Sequence, residues 1–269
     1  MTIRRRLDVE LVRRHLARSR DHAQELIGAG AVVVDGFSAD KPSRQVSDGA
    51  SIVVADSGQT EWVSRGAHKL LGALEVFGDL GLKIDGRVCL DAGASTGGFT
   101  QVLLKHGAAM VHAIDVGYGQ LAWQLRTDER VHVMERVNIK DVRTSDLQPE
   151  PTVAVADLSF ISLRMVIPVL GVLVGVDGDL VVMVKPQFEV GRENVGSGGV
   201  VRDRALRVRA LSDVADSAAD HGWHTIAVTP SGLPGPSGNV EYFLWLRHAP
   251  TCERVGIAEF EKAVQEGPQ

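Results

Sequence analysis

Three charged side chains stand at the boundaries of apolar segments that are predicted to be strands. Asp157 ends the segment VAVAD and Lys185 ends LVVMVK, while Glu241 opens the last strand, EYFLWL. In an open α/β sheet, ligands bind beyond the carboxyl ends of the parallel strands. The last strand is predicted to run the opposite way, because the loop before it leaves no room for a crossover helix. Its first residue therefore lies at the same edge, and we expect the three charges to converge there.

A glycine-rich turn after the first of these strands points to a bound cofactor. The segment 90–100, LDAGASTGGFT, joins that strand to a helix, and glycine lets a ligand approach the backbone closely. Asp115 follows Gly93 by about 22 residues, where a carboxylate commonly binds ribose hydroxyls. The turn lacks the GxGxxG pattern of dinucleotide oxidoreductases, and no GK[ST] phosphate loop follows it. Both NAD and ATP are therefore disfavoured.

Strands that alternate with helices from Ser64 onward are predicted to position these residues. Helices are predicted over 64–77 and near 97–106, 163–175 and 203–220. The strand candidates are 88–91, 111–115, 131–134, 153–157, 180–185, 225–228 and 242–246. Short apolar strands between helices are typical of a sheet that helices cover on both faces. We predict an α/β fold with a seven-stranded, mostly parallel sheet whose last strand is antiparallel.

Charge is unevenly distributed along the chain of 269 residues. A formal net charge of -5 excludes a uniformly basic coat for nucleic acid, yet residues 1–20 hold seven arginines and only two acids. Helical spacing of apolar residues there, with Ser19 as an N-cap, predicts two short helices, and strands are predicted at 31–36 and 50–55. Such arginines can bind RNA phosphates whatever the base sequence. A solvated basic face is the alternative.

Composition indicates a folded protein, with 44% hydrophobic and 23% charged residues. Two cysteines without CxxC spacing and histidines without paired spacing predict no disulfide framework and no metal site. The longest apolar stretch, 165–176, is shorter than the roughly 20 residues of a membrane span. No secretory signal follows the N-terminal arginines. We expect a cytoplasmic, monomeric protein without a membrane partner.

Ordered motifs along the whole chain resemble one family. The arginine-rich helices before VxVDG resemble the S4 RNA-binding module, and DxGxSxGGF resembles the first motif of FtsJ-like methyltransferases that use S-adenosyl-L-methionine. Together they are similar to the TlyA family of bacterial ribosomal-RNA ribose 2'-O-methyltransferases, once labelled hemolysins. The motifs are RLDxxLVRRxLARSR, WVSRGAHKL, LDAGASTGGFT, DVGYGQL, ADLSFISL, VKPQFEVG and GPSGNVEYFLWL.

The resemblance implies a domain order and a catalytic set. It implies a small α+β S4-like RNA-binding domain over 1–59, a linker at 60–63 and a Rossmann-like class I methyltransferase domain over 64–269. The family's Lys-Asp-Lys-Glu tetrad falls on Lys69, Asp157, Lys185 and Glu241. A salt-bridge cluster without a catalytic role is the alternative.

The resemblance also implies S-adenosyl-L-methionine as the cofactor, a sulfonium cation that a carboxylate beside the glycine loop would stabilise. The residues expected to bind it are Asp91, Gly93, Ala94, Ser95, Thr96, Gly97, Gly98, Phe99, Asp115, Val116, Asn138, Asp157, Leu158 and Phe160. Three of them have a structural alternative: Asp91 could tie down amides of the turn, Asn138 could form a turn and Phe160 could fill the core.

Ribosomal RNA is the partner that the resemblance implies. The arginines expected to contact its phosphates are Arg4, Arg5, Arg6, Arg18, Arg20, Arg65, Arg136 and Arg192. A solvated surface is the alternative for the last three. The glycine-rich segment 191–200 is either a lid over the cofactor or a plain flexible connection.

The chemistry of ribose methylation assigns roles within the tetrad. A ribose 2'-hydroxyl has a pKa far above neutral, so a base or a cation must stabilise its alkoxide. We assign that role to Lys185, whose protonation state the sequence leaves open, and expect Lys69 to orient the hydroxyl or a phosphate. The resemblance implies cytidines of 16S and 23S ribosomal RNA as substrates. Two alternatives remain. One is an RNA-binding ribosome assembly factor with a non-catalytic methyltransferase-like domain. The other is a pore-forming hemolysin, which is disfavoured because the sequence has neither a membrane span nor a strongly amphipathic membrane helix.

Overall fold

The computed structural model describes residues 4–14, 16–17, 19–28, 30–54, 62–235, 237–248 and 255–268. Contacts divide the chain into two compact units, Met1–Glu61 and Trp62–Gln269. Of the segment 60–63, which we expected to be a linker, the first half lies outside the described residues. Trp62 and Val63 pack against the core of the second unit. No helix among the described residues is long and apolar enough to cross a membrane.

The N-terminal unit is a small α+β structure. Its elements are β1 (Arg4–Arg6), α1 (Leu7–Arg13), α2 (Arg20–Gly28), β2 (Val32–Val34), β3 (Phe37–Ser38), β4 (Gln45–Ser47) and β5 (Ile52–Val54). β1 pairs with β4, and β2 lies between β3 and β5, all antiparallel. The oxygen Oγ of Ser19 accepts the backbone N–H of His22 at 3.1 Å, so the predicted N-cap of α2 is confirmed.

Residues four apart on each helix build the core of this unit. Leu7 and Leu11 of α1 join Ala23 and Ile27 of α2 in one buried cluster. The two predicted helices are confirmed, and the predicted strands at 31–36 and 50–55 are found as Val32–Val34 and Ile52–Val54, with residue 55 outside the described residues. The structure adds β1, β3 and β4, since a strand of two or three residues carries too little pattern to be recognised in the sequence.

The second unit is an α/β structure around one sheet. Its elements are α3 (Gly66–Asp79), β6 (Val88–Ala92), α4 (Gly98–Lys105), β7 (Met110–Asp115), α5 (Trp123–Arg126), β8 (Val131–Glu135), β9 (Val153–Ala156), α6 (Ile167–Val174), β10 (Asp179–Val184), α7 (Pro186–Glu189), α8 (Arg204–Ala219), β11 (Trp223–Pro230), β12 (Tyr242–His248) and α9 (Ile257–Glu266). The strand order is β11-β12-β10-β9-β6-β7-β8. β12 is antiparallel to β10 and β11, whereas β10, β9, β6, β7 and β8 are parallel. The predicted sheet is confirmed.

Alternating side chains of the strands supply two cores, one on each face of the sheet. In β10, Val181 and Met183 pack with residues of α3 and α4, while Val182 and Val184 pack with residues of α6, α8 and α9. Helices therefore cover both faces of the sheet, which explains why the strand sequences are continuous apolar runs.

Four helices differ from the sequence prediction, and two of them, α5 and α7, are four-residue helices that were not predicted. The helix expected over 163–175 starts as a 3-10 turn at Leu163–Met165, and α6 begins at Ile167, because Pro168 fits only the first turn of a helix. Helix α9 was not predicted, although Phe260, Ala263 and Val264 give it an apolar stripe that packs against the sheet.

Candidate functional site

Two lysine–carboxylate pairs lie at the carboxyl edge of the sheet. Lys185 Nζ is 2.6 Å from Asp157 Oδ1 and donates to Ser159 Oγ at 3.1 Å. Lys69 Nζ is 2.5 Å from Glu241 Oε2. All four residues of the predicted tetrad therefore form ion pairs, although they are as many as 172 positions apart in sequence.

The strand register explains why the two pairs are neighbours. The ladder between β10 and β12 ends at the pair Val184–Tyr242, so the next residues, Lys185 and Glu241, flank each other beyond it. Alternation then places Lys185 on the face of Met183 and Glu241 on the face of Phe243, which is the face that α3 covers. Lys69 reaches Glu241 from α3.

The two pairs differ in their exposure. Lys69 and Glu241 are 5% and 1% exposed, so this pair is enclosed. Lys185 is also buried, but the side chain of Asp157 is 24% exposed. The Lys185–Asp157 pair is therefore partly open to solvent at Asp157, while the Lys69–Glu241 pair lies in the interior. A buried charge that loses its partner lowers the stability of the fold, so each ion pair favours the observed positions of its two side chains.

The glycine loop is fixed to the sheet by Asp115 and by Gly93. Asp115 accepts the backbone N–H of Ser95 at 2.8 Å and that of Gly117 at 2.6 Å. Gly93 has φ +89°, and a Cβ there would lie 2.4 Å from the backbone oxygen of Asp157. Only glycine allows this approach, which brings the loop against the tetrad residue Asp157.

Asp91 is a buried carboxylate beside this loop. Its Oδ2 accepts the hydroxyl of Thr100 at 2.7 Å, while Oδ1 is buried and has no hydrogen-bond partner among the described residues. Burial raises the pKa of Asp91 to about 7, and the charges of Asp157 and Asp115 act in the same direction. A polar atom left unsatisfied in this way marks a site that a cation would complete. The loop, its close approach to Asp157 and this carboxylate therefore fit a cationic cofactor.

The other predicted cofactor residues fall into three groups. Ala94, Ser95, Thr96, Gly97 and Gly98 form the loop and the start of α4, and Leu158 lies half-buried beside Gly93. Val116 and Phe160 are exposed, the latter at 91%, with its ring centroid 5.2 Å from that of Phe188. Phe160 therefore does not fill the core.

Two predicted cofactor residues have structural roles in the fold. Phe99 is 4% exposed and its ring lies 6.0 Å from that of Phe243, so its side chain supports the loop from the core. Asn138 accepts the backbone N–H of Lys140 at 3.1 Å and so caps a 3-10 turn, as its alternative interpretation held.

The predicted RNA-binding arginines do not form one set. In β1, Arg4 and Arg6 are on the face opposite to Arg5, which pairs with Asp48 and lies 3.8 Å from Glu10. Arg5 is therefore directed away from the neighbours with which we expected it to act. Arg20 is exposed at the start of α2, and Arg18 lies outside the described residues.

In the second unit the three predicted arginines are exposed. Arg65 precedes α3, and Arg136 and Arg192 follow the carboxyl ends of β8 and β10. The guanidinium of Arg136 lies 4.2 Å from the ring centroid of Tyr118, a cation–π contact.

Sequence reasoning missed residues that hold the loops of the site. Glu189 accepts the hydroxyl of Ser162 at 2.6 Å and the N–H of Leu163 at 2.8 Å, and so joins α7 to the loop that follows Asp157. Asn239 bonds to Gly199 and Val201 and ties down one end of the predicted lid. A signal existed for Glu189, a charged residue in the apolar context of VKPQFE, but its partner is 26 residues away.

Comparisons with known proteins agree with this architecture. Residues 62–248 match the model of the FtsJ-like methyltransferases, and residues 5–52 match that of the S4 domain. The chain is 54% identical, over 100% of both chains, to the 16S/23S rRNA (cytidine-2'-O)-methyltransferase TlyA of Mycobacterium tuberculosis. It is 38% identical to Hemolysin A of Brachyspira hyodysenteriae, over 88% of this chain and 97% of the relative.

A solved structure extends the agreement to the fold. A protein from Streptococcus thermophilus, described as a candidate hemolysin, superposes with a TM-score of 0.78 at 35% identity, over 99% of this chain and 96% of that one. With a matched S4 domain, a matched FtsJ-like methyltransferase domain and full-length identity of 54% to one member, the chain belongs to the TlyA family.

Proposed function

We propose that this protein transfers the methyl group of S-adenosyl-L-methionine to ribose 2'-hydroxyls of cytidines in 16S and 23S ribosomal RNA, in the cytoplasm. The observation that carries the proposal is the Lys185–Asp157 pair at the carboxyl edge of the sheet, where the side chain of Asp157 is 24% exposed and its backbone lies against Gly93 of the glycine loop. The substrate follows from the name of the relative from Mycobacterium tuberculosis.

Lys185 stabilises the attacking oxygen in this proposal. Its ammonium group, which is ion-paired with Asp157 and donates to Ser159, can donate a further N–H to the ribose 2'-oxygen as negative charge develops there. The hydroxyl proton leaves to the Asp157 carboxylate or to water. Lys69 and Glu241 form the enclosed ion pair beside Lys185, since Glu241 flanks Lys185 beyond the ladder of β10 and β12. Much of the rate then comes from holding the hydroxyl in line with the methyl group.

The cofactor supplies an electrophilic methyl group when it is bound. Asp91, buried beside the glycine loop, would supply negative charge that favours its positive charge, and Asp115 would accept ribose hydroxyls while it keeps its bonds to the loop. Ser95, Thr96 and the glycines present backbone to the ligand, and the exposed Phe160 offers an aromatic surface beside Asp157.

A methylation assay with mapping tests the proposal. Small and large ribosomal subunits from a strain that lacks the enzyme are incubated with the protein and S-adenosyl-L-methionine, and 2'-O-methyl groups are mapped in each RNA. We expect new 2'-O-methylcytidines in both RNAs. Calorimetric binding of the cofactor without any methyl transfer would instead favour the non-catalytic assembly factor, as would the absence of cofactor binding.

A further inference from the structure

Two buried carboxylates lie beneath the arginines of the N-terminal unit. Asp8 and Glu10, both on α1, are 0% exposed. They are also the only two acids among the seven arginines of residues 1–20. A fully buried carboxylate requires close partners, and here the partners are guanidinium groups.

Asp8 joins two arginines that come from different elements. Arg6, at the end of β1, donates from Nε to Oδ1 and from Nη2 to Oδ2, each at 3.0 Å. Arg20, at the start of α2, donates from Nη2 to Oδ2 at 3.0 Å. Gln24 and the backbone N–H of Val9 complete the set. These bonds hold the pKa of Asp8 well below its usual range, so it is ionised at any ordinary pH.

The guanidinium groups remain accessible above this carboxylate. The side chains of Arg6 and Arg20 are 43% and 57% exposed, whereas that of Asp8 is 0% exposed. Nη1 of Arg6 and both Nε and Nη1 of Arg20 take no part in the bonds to Asp8. Nη1 of Arg6, together with the second N–H of its Nη2, still offers two parallel N–H donors, which is the geometry that binds phosphate oxygens in pairs, and Arg20 keeps further N–H groups that can donate to phosphate.

Glu10 shows the contrasting use of an arginine. It pairs with Arg14, whose other donors bond to the backbone oxygens of Ala50, Ser47 and Asp48. Arg14 thus ties α1 to the turn after β4 and has its donors directed inward. Glu10 also accepts Nε and Nη2 of Arg13, whose side chain is 49% exposed, so an inward direction of the donors belongs to Arg14 and not to every partner of Glu10.

We propose that Asp8 is a positioning residue for RNA binding, which holds Arg6 and Arg20 side by side as a preformed site for RNA phosphates. The inference rests on the proposed function, since it assumes an RNA substrate. An arginine that is already held loses less rotamer freedom when it binds. Simple charge counting predicts the reverse effect, because removal of a negative charge near phosphates should strengthen binding.

The test replaces Asp8 by asparagine and measures methylation of large ribosomal subunits from a strain that lacks the enzyme. We expect Asp8→Asn to raise KM for subunits roughly tenfold, with kcat at saturation unchanged, since two side chains must now be ordered on binding. The matched control, Asp40→Asn, removes the same charge from an exposed position of the same unit and should leave KM unchanged. A KM for Asp8→Asn equal to or below that of the wild type would overturn the proposal.

A second variant guards against loss of folding in Asp8→Asn. All four tryptophans lie in the second unit, so tryptophan fluorescence does not report the folding of the first unit. Hydrogen exchange of residues 4–54 is therefore used to measure it.

Arg20→Lys keeps the positive charge at an exposed position but lacks the planar fork of the guanidinium group. We expect it to raise KM nearly as much as Arg20→Ala; binding as tight as the wild type would show that charge alone suffices and would refute the proposal.

Failure of the proposed function would look different. If the wild type transfers no methyl group to either subunit, the function proposed above fails, and filter binding of the same variants to subunits still tests Asp8. Weaker binding of Asp8→Asn and Arg20→Lys than of Asp40→Asn would support the positioning role, and equal binding would contradict it.

Discussion

Removal of Lys69 should destabilise the second unit strongly, because it leaves Glu241 charged and enclosed. Lys69 is 5% exposed and Glu241 is 1% exposed, with 2.5 Å between Nζ and Oε2. Removing one partner of a buried pair costs about 3–5 kcal/mol. For a domain of this size, 1 kcal/mol corresponds to about 2–4 °C in Tm, so Lys69→Met should lower Tm by roughly 6–20 °C.

The assay uses fluorescence of the four tryptophans, all of which belong to the unit Trp62–Gln269. The melting curve therefore reports this unit without the N-terminal one. Trp223 and Trp245 are 4% and 1% exposed, so their emission should shift clearly on unfolding.

A double variant separates the pair from other effects. Lys69→Met with Glu241→Gln leaves no uncompensated charge, so it should recover much of the lost Tm while methyl transfer stays abolished. A Tm within 2 °C of the wild type for Lys69→Met, or a double variant that loses the sum of the two single effects, would refute this reasoning.

Two further predictions concern the cofactor loop. Because burial raises the pKa of Asp91 to about 7, binding of the cationic S-adenosyl-L-methionine should strengthen as pH rises through 7 and the carboxylate forms, and Asp91→Asn should remove this dependence. Calorimetry between pH 6 and pH 8.5 measures it. Gly93→Ala should abolish cofactor binding, because its Cβ would lie 2.4 Å from the backbone oxygen of Asp157, and should cost about 1–3 kcal/mol through backbone strain.

Each of these predictions has a matched control. The neutral S-adenosylhomocysteine lacks the sulfonium charge and should bind with little of the pH dependence; an equal dependence for both ligands would exclude Asp91 as its source. Gly81→Ala places the same strain at φ +104° with nothing within 4 Å of its Cβ, so it should lose stability and keep cofactor binding. Equal binding losses in both glycine variants would contradict the close approach as the cause.

The ends of the strands were predictable from the sequence, because a buried strand is a run of apolar residues and a charged residue marks where the run stops. Asp157, Lys185 and Glu241 interrupt apolar runs, and the sheet topology alone places all three at one edge. Lys69 was different: it lies within an amphipathic helix, and only the resemblance identified it. Its contact with Glu241 depends on how α3 packs on the sheet, which no local pattern contains.

Pairing of charges was the main property that the sequence did not reveal. Arg5 and Arg6 are adjacent, yet strand alternation sends them to opposite faces and to different carboxylates. Phe99 stands in the glycine motif, yet its side chain belongs to the core. In each case the tertiary neighbour, many residues away in sequence, decides the role of the side chain.

The central claim is that Lys185 drives methyl transfer to the ribose oxygen, and one comparison tests it most directly. Single-turnover methylation of large ribosomal subunits is measured for the wild type, Lys185→Ala and Lys83→Ala, an exposed lysine before β6 at the opposite end of the strands. We predict 2'-O-methylcytidine from the wild type and Lys83→Ala, and cofactor binding without methyl transfer from Lys185→Ala. Methylation by Lys185→Ala at the wild-type rate, or a methyl group on the base instead of the 2'-oxygen, would contradict the account.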